Sequence, residues 1–249
     1  MSDKFSNLLT MLLVLIIVSI FGIVGYFAYD VLNSNNINEN AQSAINDFQS
    51  ATQKVNTGKG NTVKDTNTVV ENEVENTTTQ DKQNTATNPL EELNQLTQNQ
   101  VAQQPVQDPT LEEPEKVYME DYEIMGTIRI PKTGIEYPVL GKLTTRSLEI
   151  AVAIARGPGL NEVGNTVIFG HNYRNGLFFS DNDKLGNGDK IYITDKYGRE
   201  MTYEVYNIYQ TTQSDATYFT RDTEGRREIS LQTCTDDGNN RIIIWAKEV

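Results

Sequence analysis

Residues 8–29, LLTMLLVLIIVSIFGIVGYFAY, carry no charged side chain across 22 positions. Hydrocarbon offers no partner to a backbone amide or carbonyl, so a run this long and apolar is restricted to helix. As a helix it reaches roughly 30 Å, the thickness of a bilayer core. Asp3 and Lys4 precede the run, Asp30 ends it, and Tyr26, Phe27 and Tyr29 gather at its far end. Amphipathic rings favour the membrane interface. A cleaved leader has an apolar core of only ~7–15 residues and a small-residue cleavage site. The run is longer and no such site follows, so residues 1–32 are expected to be a retained single-pass anchor. Lys4 lies on the short side and the far side has no Lys or Arg until Lys54. This bias puts the N-terminus in the cytoplasm and the rest of the chain outside the cell.

The charge that follows is uneven. Residues 33–115 hold 4 Lys/Arg and 13 Asp/Glu, a net of −9, whereas residues 116–249 hold 16 and 19, a net of −3; with −1 from the first 32, the total is −13. No basic patch marks a nucleic-acid partner. Residues 33–115 are also rich in Asn, Thr and Gln and poor in aromatics. Such a composition buries too little apolar surface to offset its ordering entropy, so a disordered extracellular tether is expected there, with a short helix around residues 41–52.

From about residue 116 the chain changes to short β-prone runs punctuated by Gly, Pro and Asn. MGTIRIPKTGIEYPVL (125–140) reads as two strands around Pro131 and Gly134. Residues 145–155 are the best helix candidate, and strands are expected at 165–172, 188–198, 200–211, 227–235 and 241–249. So many short strands with little helix point to a mostly all-β domain over 116–249, a closed or nearly closed barrel.

Cys234 is the only cysteine and His171 the only histidine. One thiol makes neither an internal disulfide nor a Cys-rich zinc site, and outside the cell it has to be buried or used. His171 follows the run Thr166–Phe169, Cys234 ends the run 228–233, and Arg241 opens the last one. Strand ends project from a rigid scaffold into loops where catalytic groups tend to lie. The chemistry of the three types is complementary. A thiolate is a strong nucleophile, an imidazole can raise its population or protonate a leaving amine, and a guanidinium can stabilise an oxyanion. Each has a plain structural alternative: a core cysteine, a surface histidine, an arginine paired with Asp236 or Asp237.

Taken together, SLQTC (230–234), Arg241 and FGHN (169–172) resemble the sortases, membrane-anchored cysteine transpeptidases of Gram-positive bacteria. That family carries Thr-Leu-x-Thr-Cys on one strand, an Arg opening the next, and an upstream Gly-His. IMGTIRIPKTGIEYPVL and NGLFFSDNDKLGNGDKIYI extend the likeness over the domain. The resemblance implies an eight-stranded barrel with one or two short helices. It implies Cys234 as nucleophile, His171 as general acid/base and Arg241 as substrate binder and oxyanion stabiliser, with Thr233 shaping the site. It further implies that a Leu-Pro-x-Thr-Gly-like sorting motif is cut through a thioacyl enzyme and passed to an amine of the cell wall or a pilin lysine. No cofactor is expected. Calcium would have to use Asp181, Asp183 and Glu162, which solvation explains as well. Ser230 departs from the usual Thr, and DPT (108–110) is only a faint lid motif because it lacks the aromatic. The rivals are an L,D-transpeptidase, whose Arg sits two residues after its Cys, and a non-catalytic tethered binding module. Papain-like peptidases reverse the order of Cys and His.

Overall fold

The computed structural model describes residues 3–57 and 113–249. Helix α1 spans Asp3–Thr57 without a break. Nine strands follow: β1 (Tyr118–Met119), β2 (Tyr122–Ile130), β3 (Ile135–Leu140), β4 (Val152–Arg156), β5 (Gly164–Phe169), β6 (Lys190–Asp195), β7 (Glu200–Thr212), β8 (Arg227–Cys234) and β9 (Asn240–Glu248). A short helix α2 (Thr145–Ile150) lies between β3 and β4.

The sheet runs β1-β2-β3-β4-β5-β8-β9-β7-β6, and β6 pairs back onto β2. Eight strands, β2 to β9, therefore close a barrel, while β1 is a two-residue extension beside β2. Closure removes the sheet edges that would otherwise present unpaired amides. Side chains alternate across the wall. Ile128, Ile130, Ile168, Ile191, Ile193, Ile229, Leu231 and Ile244 belong to one buried interior cluster. Ala155, Val167, Tyr218 and Ile243 form a second cluster on the outer face of β4, β5 and β9, joined by Phe169, Phe219 and Trp245.

Two expectations need correction. Residues 145–155 are helical only to Ile150. Thr144 caps the start, its side chain accepting from the Ser147 amide while the Ser147 hydroxyl accepts from the Thr144 amide. Val152–Arg156 then forms β4, parallel to β3 and antiparallel to β5. The Ala-rich stretch reads as helix by propensity, but pairing on both sides with burial of Val152, Ala153 and Ala155 overrides that preference.

The second correction concerns residues 33–57, expected as the start of a tether with a short helix around 41–52; that helix is present and is part of the longer α1. They are helical and lie against the barrel. Ile37, Ala41, Ala44, Ile45, Phe48, Ala51 and Thr52 recur at helical spacing on one face. Ala41 joins the interior cluster with Ile37 packed beside it, and Ala44 and Phe48 pack with Met119, Ile124, Leu140 and Ile150. The Tyr137 hydroxyl donates to Asn38 Oδ1 at 2.6 Å, and Asn175 Nδ2 donates to Ser34 Oγ at 3.3 Å. The alanines let the helix approach closely; the Asn and Gln between them face water. In the N-terminal half, Leu9 to Leu32 is exposed at nearly every large apolar position. This part of the helix is long and apolar enough to cross a membrane. The rest of the expected tether, residues 58–112, and DPT with it, lies outside the described residues.

Candidate active site

Register brings the segments that carry the three residues to one end of the barrel. β5 and β8 are parallel neighbours with Phe169 opposite Gln232, and the Gly170 amide continues the ladder to the Gln232 carbonyl at 3.1 Å. Cys234 is the last residue of β8, and His171 follows two residues after the end of β5. On the other side, antiparallel β9 places Arg241 directly opposite Cys234. His171, Cys234 and Arg241 thus form a row at the ends of β5, β8 and β9, with Cys234 and Arg241 paired at roughly 5 Å and His171 in the loop just beyond β5. Parity gives Cys234 and Arg241 the same face, since Arg241 is two residues from Ile243 of the outer cluster. Gln232 and Ser230 also face outward, where they meet Tyr218, Asn165 and Arg221.

Gly170 explains how the histidine reaches this row. A Cβ at that position would sit 2.6 Å from Phe179 Cδ2 and 3.0 Å from Val152 Cγ1. The missing side chain lets Phe179 pack on the strand end, and the Phe179 amide then donates to the His171 carbonyl at 3.1 Å. The imidazole lies against Tyr173, ring centres 4.8 Å apart. Burial lowers the His171 pKa below its ordinary value, and the Glu149 carboxylate of α2 opposes that shift. The ring is therefore mostly neutral at neutral pH and can accept a proton.

Cys234 is half-buried and free. Arg241 donates to the Asn240 carbonyl at 3.1 Å and the Gly238 carbonyl at 3.3 Å. It makes no ion pair among the described residues, so the pairing with Asp236 or Asp237 considered from sequence is not formed. Asp237 instead accepts from Thr235 Oγ1 at 2.5 Å and from Asn239, and Asp236 accepts from Asn172 Nδ2 at 2.9 Å. The loop 235–239 is tied to itself and leaves the guanidinium available for an anion.

Thr233 is a correction. It shares the inward parity of Ile229 and Leu231, is 1% exposed, and its hydroxyl finds no partner among the described residues. Its side chain faces away from the row, so it cannot shape the site by touching substrate.

Sequence reasoning missed three contributors. Segment 213–226 forms a wall beside the row: Phe219 stacks on Phe169 at 5.8 Å, and Asn165 Nδ2 donates to the Tyr218 carbonyl at 2.8 Å. Arg221 fixes this wall. It pairs with buried Glu228, donates to Tyr206 Oη at 2.9 Å and Asn165 Oδ1 at 3.0 Å, and stacks 4.7 Å over Trp245. Burial alone would raise the Glu228 carboxyl, but Tyr206, Arg221 and Arg226 together hold it below its ordinary value. The third contributor is Asn172, described below. A lone Arg or Asn in a loop gives no sequence signal of its role.

A cleft of about 880 Å³ separates α1 from the barrel, lined by Tyr26, Asp30 and Asn36 on the helix and Tyr118, Arg146 and Tyr173 opposite. Tyr173 is its link to His171. The acids considered for calcium are placed elsewhere: Asp181 pairs with Lys184 at 2.8 Å and Glu162 with Arg199 at 2.8 Å. Among the described residues no three His, Cys, Asp or Glu gather as metal ligands.

Comparison with known proteins gives the same fold and family. Residues 128–249, from within β2 to the C-terminus, match the family model described as the Sortase domain. Sortase A of Bacillus anthracis is 30% identical over 142 residues, covering 56% of this chain and 66% of that protein. Sortase A of Streptococcus agalactiae serotype III is 28% identical over 131 residues, covering 50% and 52%. The alignments thus span between half and two thirds of these relatives' own lengths. The solved structure entitled Sortase C1 of GBS Pilus Island 1 superposes with a TM-score of 0.53 at 18% identity, over 84% of this chain and 92% of that one, a likeness of fold. With the matched stretch containing every strand from β3 to β9 and the row His171, Cys234, Arg241, the domain over residues 128–249 belongs to the sortase family.

Proposed function

We propose that the protein is a membrane-anchored cysteine transpeptidase that cuts a Leu-Pro-x-Thr-Gly-like sorting motif and transfers the acyl part to an amine. The observation that carries this reading is the gathering of His171, Cys234 and Arg241 at the ends of β5, β8 and β9. Neutral His171 takes the thiol proton, and Cys234 Sγ attacks the scissile carbonyl carbon. The negative charge on the carbonyl oxygen is met by Arg241, whose guanidinium has only carbonyl partners in the free protein. As the C–N bond breaks, His171 returns the proton to the leaving amine, and a thioester remains on Cys234. A second amine attacks that carbonyl, gives a proton to His171, and expels the thiol, which is reprotonated. Acceptors of this kind are a peptidoglycan-precursor amine or a pilin lysine. The exposed apolar half of α1 is the anchor, with the N-terminus cytoplasmic and the barrel outside.

The test incubates the detergent-solubilised full chain with a panel of sorting-motif peptides and an amine acceptor, followed by mass spectrometry. A thioacyl adduct on Cys234 and an amide product are expected, both abolished in Cys234→Ala. Absence of any adduct across the panel, together with normal surface-protein anchoring in Cys234→Ala cells, sinks the reading.

A further inference from the structure

Strand pairing holds Cys234 opposite Arg241, but no side chain of the row holds His171 to them. The His171 imidazole has no hydrogen bond among the described residues, only its stacking on Tyr173 and the field of Glu149. β5 ends at Phe169, so His171 is already in a loop. That loop is fastened by the next side chain. Asn172 Nδ2 donates to the Cys234 carbonyl at 3.0 Å and to Asp236 Oδ1 at 2.9 Å. Its Oδ1 accepts from the Arg174 amide at 3.0 Å, and its backbone bridges to Phe178. One carboxamide therefore uses its two N–H groups on the strand end carrying the cysteine and on the loop leading to Arg241, and its oxygen on its own loop. Asp236 has no other hydrogen-bonded partner among the described residues, so this contact also fixes the start of loop 235–239, whose Gly238 carbonyl receives Arg241.

We propose that Asn172 is a positioning residue, which holds His171 level with Cys234 and sets the loop beneath Arg241. The inference rests on the reading of His171 and Cys234 as an acid–base pair. Asparagine suits the position because it has two donors and one acceptor on a short, planar stem. The substitution Asn172→Asp would keep the shape but face the Cys234 carbonyl and the Asp236 carboxylate with oxygens only, leaving both without a donor. The mechanism depends on this geometry because proton transfer requires hydrogen-bond reach, and a displacement of about 1 Å can cost on the order of 100-fold in rate.

The test uses the full chain in detergent and measures Cys234 alkylation by iodoacetamide against pH for wild type, His171→Ala, Asn172→Ala, Asn172→Asp and the double variant Asn172→Asp/Asp236→Asn. The wild-type profile should show an inflection that vanishes in His171→Ala. Asn172→Ala and Asn172→Asp should flatten that inflection while thermal midpoints stay near wild type. With a sorting peptide, kcat should fall roughly 10- to 100-fold with KM nearly unchanged. The double variant restores a donor–acceptor pair between the loops and should recover part of the loss. Single-variant profiles that superimpose on wild type overturn the proposal, as does a double variant no better than Asn172→Asp. A wild-type profile indifferent to His171 overturns it too, because there is then no pairing to hold. If no peptide forms an adduct but the alkylation profiles behave as expected, the transfer reading fails and the role of Asn172 stands.

Discussion

Successive residues at the end of β5 serve opposite sides of the barrel wall. Phe169 faces outward toward Phe219 of segment 213–226, and Gly170 after it lies against Phe179 and Val152. Gly170→Ala must push Phe179 or lift the His171 loop, so a loss of about 1–3 kcal/mol is expected in urea denaturation, with slower Cys234 alkylation. The depressed pKa of His171 has a defined sign. Below about pH 6.5 the unfolded chain binds that proton more readily than the folded one, so this contribution to stability is present above 6.5 and declines as pH falls toward the folded value. The difference in urea midpoint between wild type and His171→Gln should therefore change between pH 7.5 and 5.5, with wild type losing more. At this scale residue type and chain order singled out Cys234, His171 and Arg241, and the register sets two of them, Cys234 and Arg241, opposite each other. Thr233 was misjudged because adjacency in sequence is not adjacency on a strand. Pleating turns neighbours to opposite faces.

Among the elements, strands were readable from their β-branched and aromatic runs, and their turns from Gly and Pro. β4 was not, because VAIA favours helix in isolation and becomes a strand only between β3 and β5. Segment 213–226 shows a different limit. Its position depends on Arg221, whose partners Asn165, Tyr206, Glu228 and Trp245 come from four strands. No local pattern encodes such a cluster. Arg221→Met removes the principal cation from a carboxylate whose side chain is fully buried. A loss of about 3 kcal/mol is expected in thermal or denaturant unfolding. The wall carrying Tyr218 and Phe219 should loosen as well, read as faster amide exchange across 213–226. Because the Glu228 carboxyl is held below its ordinary value, its stabilisation is present above about pH 4.5 and lost as pH falls through the folded value.

The molecule as a whole is a barrel with a helix fixed to its side. The face of α1 that docks could be found by its helical spacing of Ile37, Ala41, Ala44, Ile45 and Phe48, yet the surrounding Asn and Gln masked it as linker. Composition averages over all faces of a helix, whereas docking needs only one. Phe48 is 2% exposed, and Phe48→Ala should cost about 3 kcal/mol in a melt of the full chain in detergent. A melt unchanged from wild type would mean that α1 adds nothing to the barrel's stability. The docked helix also sets a distance. From Tyr29, at the end of the apolar run, to Asn38, bonded to Tyr137, is nine residues, or roughly 14 Å of helix. The barrel is thus attached to the helix before residues 58–112 begin, and those residues leave from α1 and return at Glu113 to the same body. The distance between the apolar run and the barrel is therefore counted out in helical turns, a ruler built into α1 itself.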